Sequence, residues 1–303
     1  MNSVSLLSLQ NVIKNFDKVR ALDRVSFEVP HQSIFGMLGP NGAGKTTALR
    51  IITTILKPDA GQVFFNGDVL QDKHAAHIGY MPEERGLYKK MKVGEHLIYL
   101  ARLKGLSAQQ AQKQVRFWLE KFEISDWYHK KVQDLSKGMS QKVQFLATIL
   151  HQPSLIILDE PFSGLDPINS KLIEQEILSL KQQGATVLFS THRMEQVEEF
   201  CEYIILINKG RVILSGKVSD IRQQYKRNEY SFHYEGTRPD LPPHVQIIRD
   251  VNHELVVKLP PTHTGNDLLR ELIVRNVRVT AFAELLPSLN EIFIMQVKAT
   301  SNE

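Results

Sequence analysis

Short apolar runs separated by turn residues fill the first third of the chain. Residues 6–13 and 25–29, the latter ending at Pro30, alternate with period 2 and predict an antiparallel β piece. Residues 34–38 form a compact apolar strand that runs straight into a glycine-rich turn, and 46–56 read as a helix stopped before Lys57-Pro58. Two more short strands are expected at 62–66 and 77–81. From Lys92 to about Glu123 the period becomes helical: VGEHLIYLARLKG and AQQAQKQVRFWLEKF place apolar residues three and four apart, with Gly105-Leu106-Ser107 as break and cap. This helical stretch, about residues 92–151, interrupts the α/β pattern and is expected to form a subdomain. Beyond it come a buried strand at 155–158, a helix at 168–183 and a strand at 186–190. A short acidic helix around 195–199, a strand at 203–207 and a hairpin at 208–210 follow. Strands alternating with helices argue an α/β fold with a mainly parallel sheet.

Near Lys226 the composition shifts. Strand-like runs at 229–234, 245–249 and 254–259 enclose the turn-rich insert GTRPDLPP; a helix at 267–274, a strand at 277–282 and a helix at 288–297 complete the pattern. The expected organisation is a first domain over residues 1–225 and a small α+β accessory domain over 226–303. No internal repeat or low-complexity segment is visible.

Composition narrows the class only slightly. Hydrophobic residues make up 42% of the 303 and charged residues 23%, ordinary for a soluble globular protein. The longest apolar runs are far too short to cross a bilayer, and the opening MNSVSLLSLQNVIKNFDK does not read as a signal peptide. The single cysteine, Cys201, excludes an internal disulfide framework, points to a reducing cytoplasm and reads as a small core residue. The formal charge of +4 is spread among acids, with no basic block carrying interleaved aromatics, so nucleic acid is not an expected partner. No His/Cys spacing suggests a zinc site.

Three stretches carry chemistry. GPNGAGKTT, made of Gly39, Pro40, Asn41, Gly42, Ala43, Gly44, Lys45, Thr46 and Thr47, matches G-x-x-x-x-G-K-[ST] and lies between an expected strand and an expected helix. Its glycines let main-chain N–H groups close around phosphate oxygens, and the helix N-terminus adds positive charge. Lys45 is expected to reach the β- and γ-phosphates and the Thr46 hydroxyl to ligate Mg²⁺. LIILDEP (155–161) ends a buried strand in two acids at the carboxyl edge of the sheet, where open α/β proteins bind ligands. There Asp159 suits Mg²⁺, through water, and Glu160 suits a general base for the water attacking the γ-phosphate. LSKGMSQKVQ (135–144) leads into an amphipathic helix; read alone it is a helix cap, although Ser136 and the Gly138 main chain are able to bind an anion there.

Taken together and in order, these stretches resemble the ABC (ATP-binding cassette) ATPase family over about residues 5–225. GPNGAGKTT matches its Walker A, LIILDEP its Walker B, LSKGM (Ser136, Lys137, Gly138, Met139) its signature, and FSGLD, with Asp166, its D-loop. STH, ending in His192, matches the switch histidine; NFDKVRALD, with Phe16, the adenine-stacking A-loop; GYMPEERGLY, with Glu83, the Q-loop region. The sequence departs from the family pattern at Lys137 and Met139, where glycine and glutamine are usual, at Glu83 in place of glutamine, and at Phe16 in place of the commoner tyrosine.

The resemblance implies a P-loop NTPase cassette with a RecA-like parallel sheet core, an antiparallel β piece and a helical subdomain. It also implies ATP as substrate and Mg²⁺ as cofactor, with Glu83 a further candidate toward the metal and His192 at the γ-phosphate. In this family two cassettes, identical or different, face head to tail, so that Ser136 and Gly138 of one meet the ATP of the other. A separate transmembrane permease completes the assembly, which puts this chain on the inner face of the cell membrane. EERGLY, LSKGM and the near-terminal PSLNEIFI are similar to an exporter subgroup that includes sodium-efflux subunits. A soluble or regulatory ABC ATPase is the alternative. Two-cassette and coiled-coil relatives and N-K-x-D GTPases are disfavoured, because the only N-K, Asn208-Lys209, lacks the aspartate.

Overall fold

The computed structural model describes residues 5–83 and 86–301. Residues 1–4 of the opening stretch, and Glu84 and Arg85 of EERGLY, lie outside the described residues. The chain divides into two compact units, Met1–Lys217 and Val218–Glu303.

The first unit opens with β1 (Ser5–Phe16) and β2 (Val19–Pro30), a long antiparallel pair, followed by β3 (Ile34–Leu38) and α1 (Lys45–Ile52). Then come β4 (Ala60–Phe65), β5 (Asp68–Val69) and β6 (Ile78–Met81). Between β6 and the next strand the regular structure is helical: α2 (Val93–Leu103), α3 (Ala108–Lys121) and α4 (Lys137–Ile149), with short 3₁₀ turns between α3 and α4. The unit finishes with β7 (Leu155–Asp159), α5 (Pro167–Gln182), β8 (Thr186–Thr191), α6 (Met194–Phe200), β9 (Tyr203–Asn208) and β10 (Arg211–Lys217).

Two sheets result. β2-β1-β4-β5 is antiparallel, and β10-β9-β3-β8-β7-β6 is parallel apart from the β9–β10 hairpin. β3 and β7 are buried at every position, as strands covered on both faces must be. Between the sheets and α1 lies a core that includes Leu7, Val25, Met37, Leu49, Ile157, Leu188 and Ile205. The hairpin between β9 and β10 turns through Lys209 and Gly210, both at positive φ (48° and 75°), the geometry that suits right-twisted strands.

The parallel register decides where chemistry can sit. Met37 of β3 pairs with Ser190 of β8, and Ser190 with Asp159 of β7. The carboxyl ends of three central strands therefore finish side by side. The helices are locally coded. Ser107 and Gln110 form a reciprocal capping box at α3, and the half-buried Lys104 at the end of α2 donates from its ammonium to the carbonyls of Ala75 (2.7 Å) and Ile78 (2.9 Å).

The second unit contains α7 (Val218–Gln224), β11 (Glu229–Glu235), β12 (Gln246–Val251), β13 (Glu254–Lys258), α8 (Gly265–Val274), β14 (Arg278–Leu285) and α9 (Leu289–Ser301). Its antiparallel sheet runs β12-β13-β11-β14, with Phe232, Leu255, Leu268 and Leu272 in its own core.

Two expectations move. The helix expected at 46–56 closes at Ile52, because the Thr53 hydroxyl donates to the Leu49 carbonyl (2.9 Å) and Thr54 turns left-handed (φ 61°). The division between units falls after Lys217 rather than after residue 225. The Arg222 guanidinium of α7 donates to the carbonyls of Pro287 (3.0 Å) and Leu286 (3.3 Å), contacts that a reading of composition does not reveal. A chain ending at Lys217 is expected to fold alone, with one cooperative thermal transition by circular dichroism. Absence of any such transition would mean that Val218 onward is needed to fold the first unit.

Candidate functional site

Main-chain proximity dictates the loop between β3 and α1. A Cβ on Gly39 would fall 2.2 Å from the Ile207 carbonyl oxygen, and one on Gly44 (φ 110°) would fall 2.5 Å from that of Ala21. Only glycine fits at either place, so the loop is wedged between β9 and β2. Gly44 caps α1 without a side chain, and no acid stands in the helix's first turn, which leaves its N–H groups facing outward. The buried Lys45 ammonium donates to the carbonyls of Gly39 (2.7 Å) and Pro40 (3.1 Å). Burial lowers its pKa, and the nearby charges of Glu160, Asp159 and Glu83 act against that shift.

Facing this loop are the ends of β7 and β8. Asp159 is 2% exposed; its pKa is raised by burial, while the Ser190 hydroxyl that donates to it and the Lys45 charge pull the other way. The Thr46 hydroxyl stands 3.5 Å from Asp159 Oδ2. Glu160 continues the ladder through its N–H to the Ser190 carbonyl (3.0 Å) and then turns left-handed (φ 50°), a conformation that non-glycine residues seldom take. That turn swings its carboxylate to the end of β8. There it accepts from the His192 N–H (3.1 Å) and the Thr191 hydroxyl (3.3 Å), and His192 Nδ1 stands 2.7 Å from Oε1.

A cavity of roughly 540 Å³ lies over the loop. Asn41 through Thr47, Glu83, Asp159 and Glu160 line it, and His192 adjoins it through Glu160. Gly39 and Pro40 act from beneath, through their carbonyls. Phe16 stands outside the lining, at the exposed end of β1, with the Lys14 ammonium 5.6 Å from its ring centre.

The signature residues are not brought to this cavity either. The Ser136 hydroxyl caps α4 by accepting the Met139 N–H (3.2 Å); Lys137 and Gly138 follow it in the helix's first turn. Asp166 caps α5, and the hydrogen bond from the Asn169 N–H (2.9 Å) lowers its pKa. Reading by motif expects Phe16 of NFDKVRALD at the nucleotide, whereas Val19, Arg20 and Ala21 of the same stretch line the cavity; it missed Ser190 as a support for Asp159, and missed Lys209 and Gly210 in the lining. The hairpin at 208–210 was the only sign in the sequence of the last two.

Among the described residues no group of three or more His, Cys, Asp or Glu side chains could hold a metal. The Thr46 and Asp159 oxygens are instead a sparse pair of hard donors. That suits Mg²⁺, which keeps its waters and takes further ligands from substrate phosphates.

A phosphate-binding loop at a helix N-terminus, two acids across from it and a histidine on one of them define a P-loop nucleoside triphosphatase. Residues 22–163 match the ABC transporter family model, and residues 216–297 match that of the C-terminal domain of DrrA1-3-like ATP-binding proteins. The uncharacterized ABC transporter ATP-binding protein YhaQ of Bacillus subtilis (strain 168) is 41% identical over 298 residues, 97% of this chain and 99% of that protein. The Nod factor export ATP-binding protein I of Burkholderia thailandensis is 36% identical over 217 residues, 71% of each chain. A solved ATP-binding subunit of an ABC transporter superposes with a TM-score of 0.69 at 31% identity, covering 73% of this chain and 93% of that one. The chain belongs to the ABC transporter ATP-binding proteins and is an ATPase of that family. Among the described residues no helix is long and apolar enough to cross a membrane.

Ser190→Ala removes a donor that offsets the burial of Asp159, so this carboxyl then titrates at higher pH. The acid limb of the ATPase pH profile is expected to move to higher pH, with the alkaline limb unchanged. An unmoved acid limb would show that Asp159 ionisation does not limit turnover at low pH.

Proposed function

We propose that this chain pairs head to tail with a second cassette and powers a separate membrane-spanning permease, from the inner face of the membrane and in the outward direction. The observation that carries the pairing is the position of the signature. Ser136, Lys137, Gly138 and Met139 stand outside the cavity that Lys45 and Glu160 line, so one chain holds half of each site. The outward direction leans on similarity to the Nod factor export protein.

Each residue then has a role. Lys45 and the loop N–H groups bind the β- and γ-phosphates, and the exposed Phe16 ring stacks on adenine. An Mg²⁺ ion held by the Thr46 hydroxyl and, through water, by Asp159 would neutralise charge on the phosphate oxygens. Glu160 takes the proton of the attacking water, and its grip by Thr191 and His192 fixes the carboxylate in line. His192 carries a hydrogen bond to the γ-phosphate, and Glu83 reports on the occupied site. Ser136 and Gly138 close over the opposing nucleotide, with Asp166 at the seam. Loss of the γ-phosphate dissolves that link and reopens the pair.

A second cavity, of about 520 Å³, runs along α2 and α4 beside the Glu83 loop and includes Tyr80, Leu87, Leu100, Leu103 and Ala147. Its mixed apolar lining fits a short cytoplasmic helix of the permease.

Glu160→Gln is expected to keep ATP affinity and to lower hydrolysis by ~10²-fold or more. Near-normal turnover would remove Glu160 from the general-base role. The same variant, tagged and extracted from native membranes with ATP and Mg²⁺ in mild detergent, is expected to bring a stoichiometric multispanning protein with it. Recovery from the cytosol with ribosomes or a soluble partner would overturn the coupling to transport and leave the ATPase chemistry intact.

A further inference from the structure

Two buried glutamines on one face of α4 hold the main chain beside both acids of the site. The Gln141 amide nitrogen donates to the Pro161 carbonyl (2.9 Å), one residue past Glu160, and that of Gln144 donates to the Pro82 carbonyl (2.7 Å), one residue before Glu83. The two stand three residues apart on the helix and are 5% and 4% exposed. Packing gives no reason for a glutamine at 144. Its nitrogen is bonded, but its Oε1 is buried without a partner. An amide satisfied at one end only suits an interior less well than an apolar side chain of similar size. Nor is α4 free to drift along β6. A Cβ on Gly79 would fall 2.3 Å from the Thr148 carbonyl oxygen, so the helix main chain lies directly on the strand. One helical turn before Thr148, Gln144 reaches the carbonyl just past the end of that strand at Met81. Helix and strand are thus joined at two points, and the next residue along the chain is Glu83. Glu83 lines the nucleotide cavity, and its charge is among those acting on Lys45.

We propose that Gln144 is a positioning residue for ATP hydrolysis: its amide fixes the Pro82 carbonyl, and through it the direction in which Glu83 enters the nucleotide cavity. This rests on the placement of Glu83 in the reaction proposed above. Pro82 has no N–H with which to extend the β6 ladder, so its carbonyl is what an anchor from outside the sheet can hold. Pro161 stands in the same relation to β7 and is held in the same way by Gln141. Gln144 touches neither nucleotide nor reacting water; it acts through the carboxylate that it aims.

The experiment is steady-state ATPase kinetics of the full chain, with folding followed by circular dichroism. Gln144→Met keeps the bulk and removes the donor. It is expected to lower kcat about tenfold, the scale of one lost hydrogen bond, with KM for ATP within about twofold and the thermal midpoint within about 3 °C of the parent. Gln144→Leu is expected to do the same, which guards against a fault peculiar to one side chain. Glu83→Ala alone is expected to lower kcat by about as much. Adding Gln144→Met to it should lower kcat by less than about twofold more, because the two act through one carboxylate. A packing role would instead add in full. Unchanged kcat in both Gln144 variants, or full additivity on Glu83→Ala, would overturn the positioning role. So would loss of the cooperative thermal transition in both Gln144 variants, which would make Gln144 a residue of the fold. If Glu83→Ala turns over ATP as the parent does, the placement of Glu83 in the reaction falls, and Gln144 has nothing there to position.

Discussion

The register of three parallel strands governs this molecule. Leu38 of β3, Thr191 of β8 and Asp159 of β7 finish at nearly one level, each one residue or less from its neighbour's end. A shift by a single residue would turn every side chain of β7 to the opposite face and carry Asp159 away from Ser190. Because β3 and β7 are buried on both faces, close packing of their individual side chains resists that slip. Catalytic geometry is thus inherited from hydrophobic packing, and the site adds few constraints of its own.

The electrostatics at those strand ends are a balance among desolvated groups. Burial works against the charged forms of both Lys45 and Asp159, and each is among the groups that restore the other's charge. Lys45 spends its hydrogen bonds on the carbonyls of its own loop, so the loop keeps its shape around the cation. Glu160 is handled differently: a left-handed main chain and two donors from the end of β8 aim it. Asp159 is held by what surrounds the sheet edge, Glu160 by what comes after it.

Much of this is legible in the residues alone. Apolar runs followed by turn chemistry locate β3, β7 and β8, and the order of short motifs names the residues that line the cavity. What escapes reading depends on separation along the chain. Ala21 against Gly44 and Ile207 over Gly39 are backbone approaches between distant segments, and no local pattern encodes them. Arg222 reaching to Leu286 and Pro287 moves the unit boundary for the same reason. In the sequence Lys137 is a simple departure from a family pattern; in the fold its stem lies on Gly164. The early end of α1 is partly legible, since Thr53 and Thr54 are residues that compete with a helix through their own hydroxyls.

The strand order also sets a schedule for synthesis. β3, which carries the phosphate loop, lies between β8 and β9 in the sheet, so its sheet partners leave the ribosome long after it does. At about 5–20 residues per second the delay is on the order of ten seconds or more. Non-local parallel pairing of this kind is slow to form even when both strands are present. During that interval an apolar strand and its glycine loop have no sheet to join, and Gly39 has no Ile207 carbonyl to sit under. The phosphate loop can therefore take its final shape only after β9 and the Ile207 carbonyl have emerged to meet it.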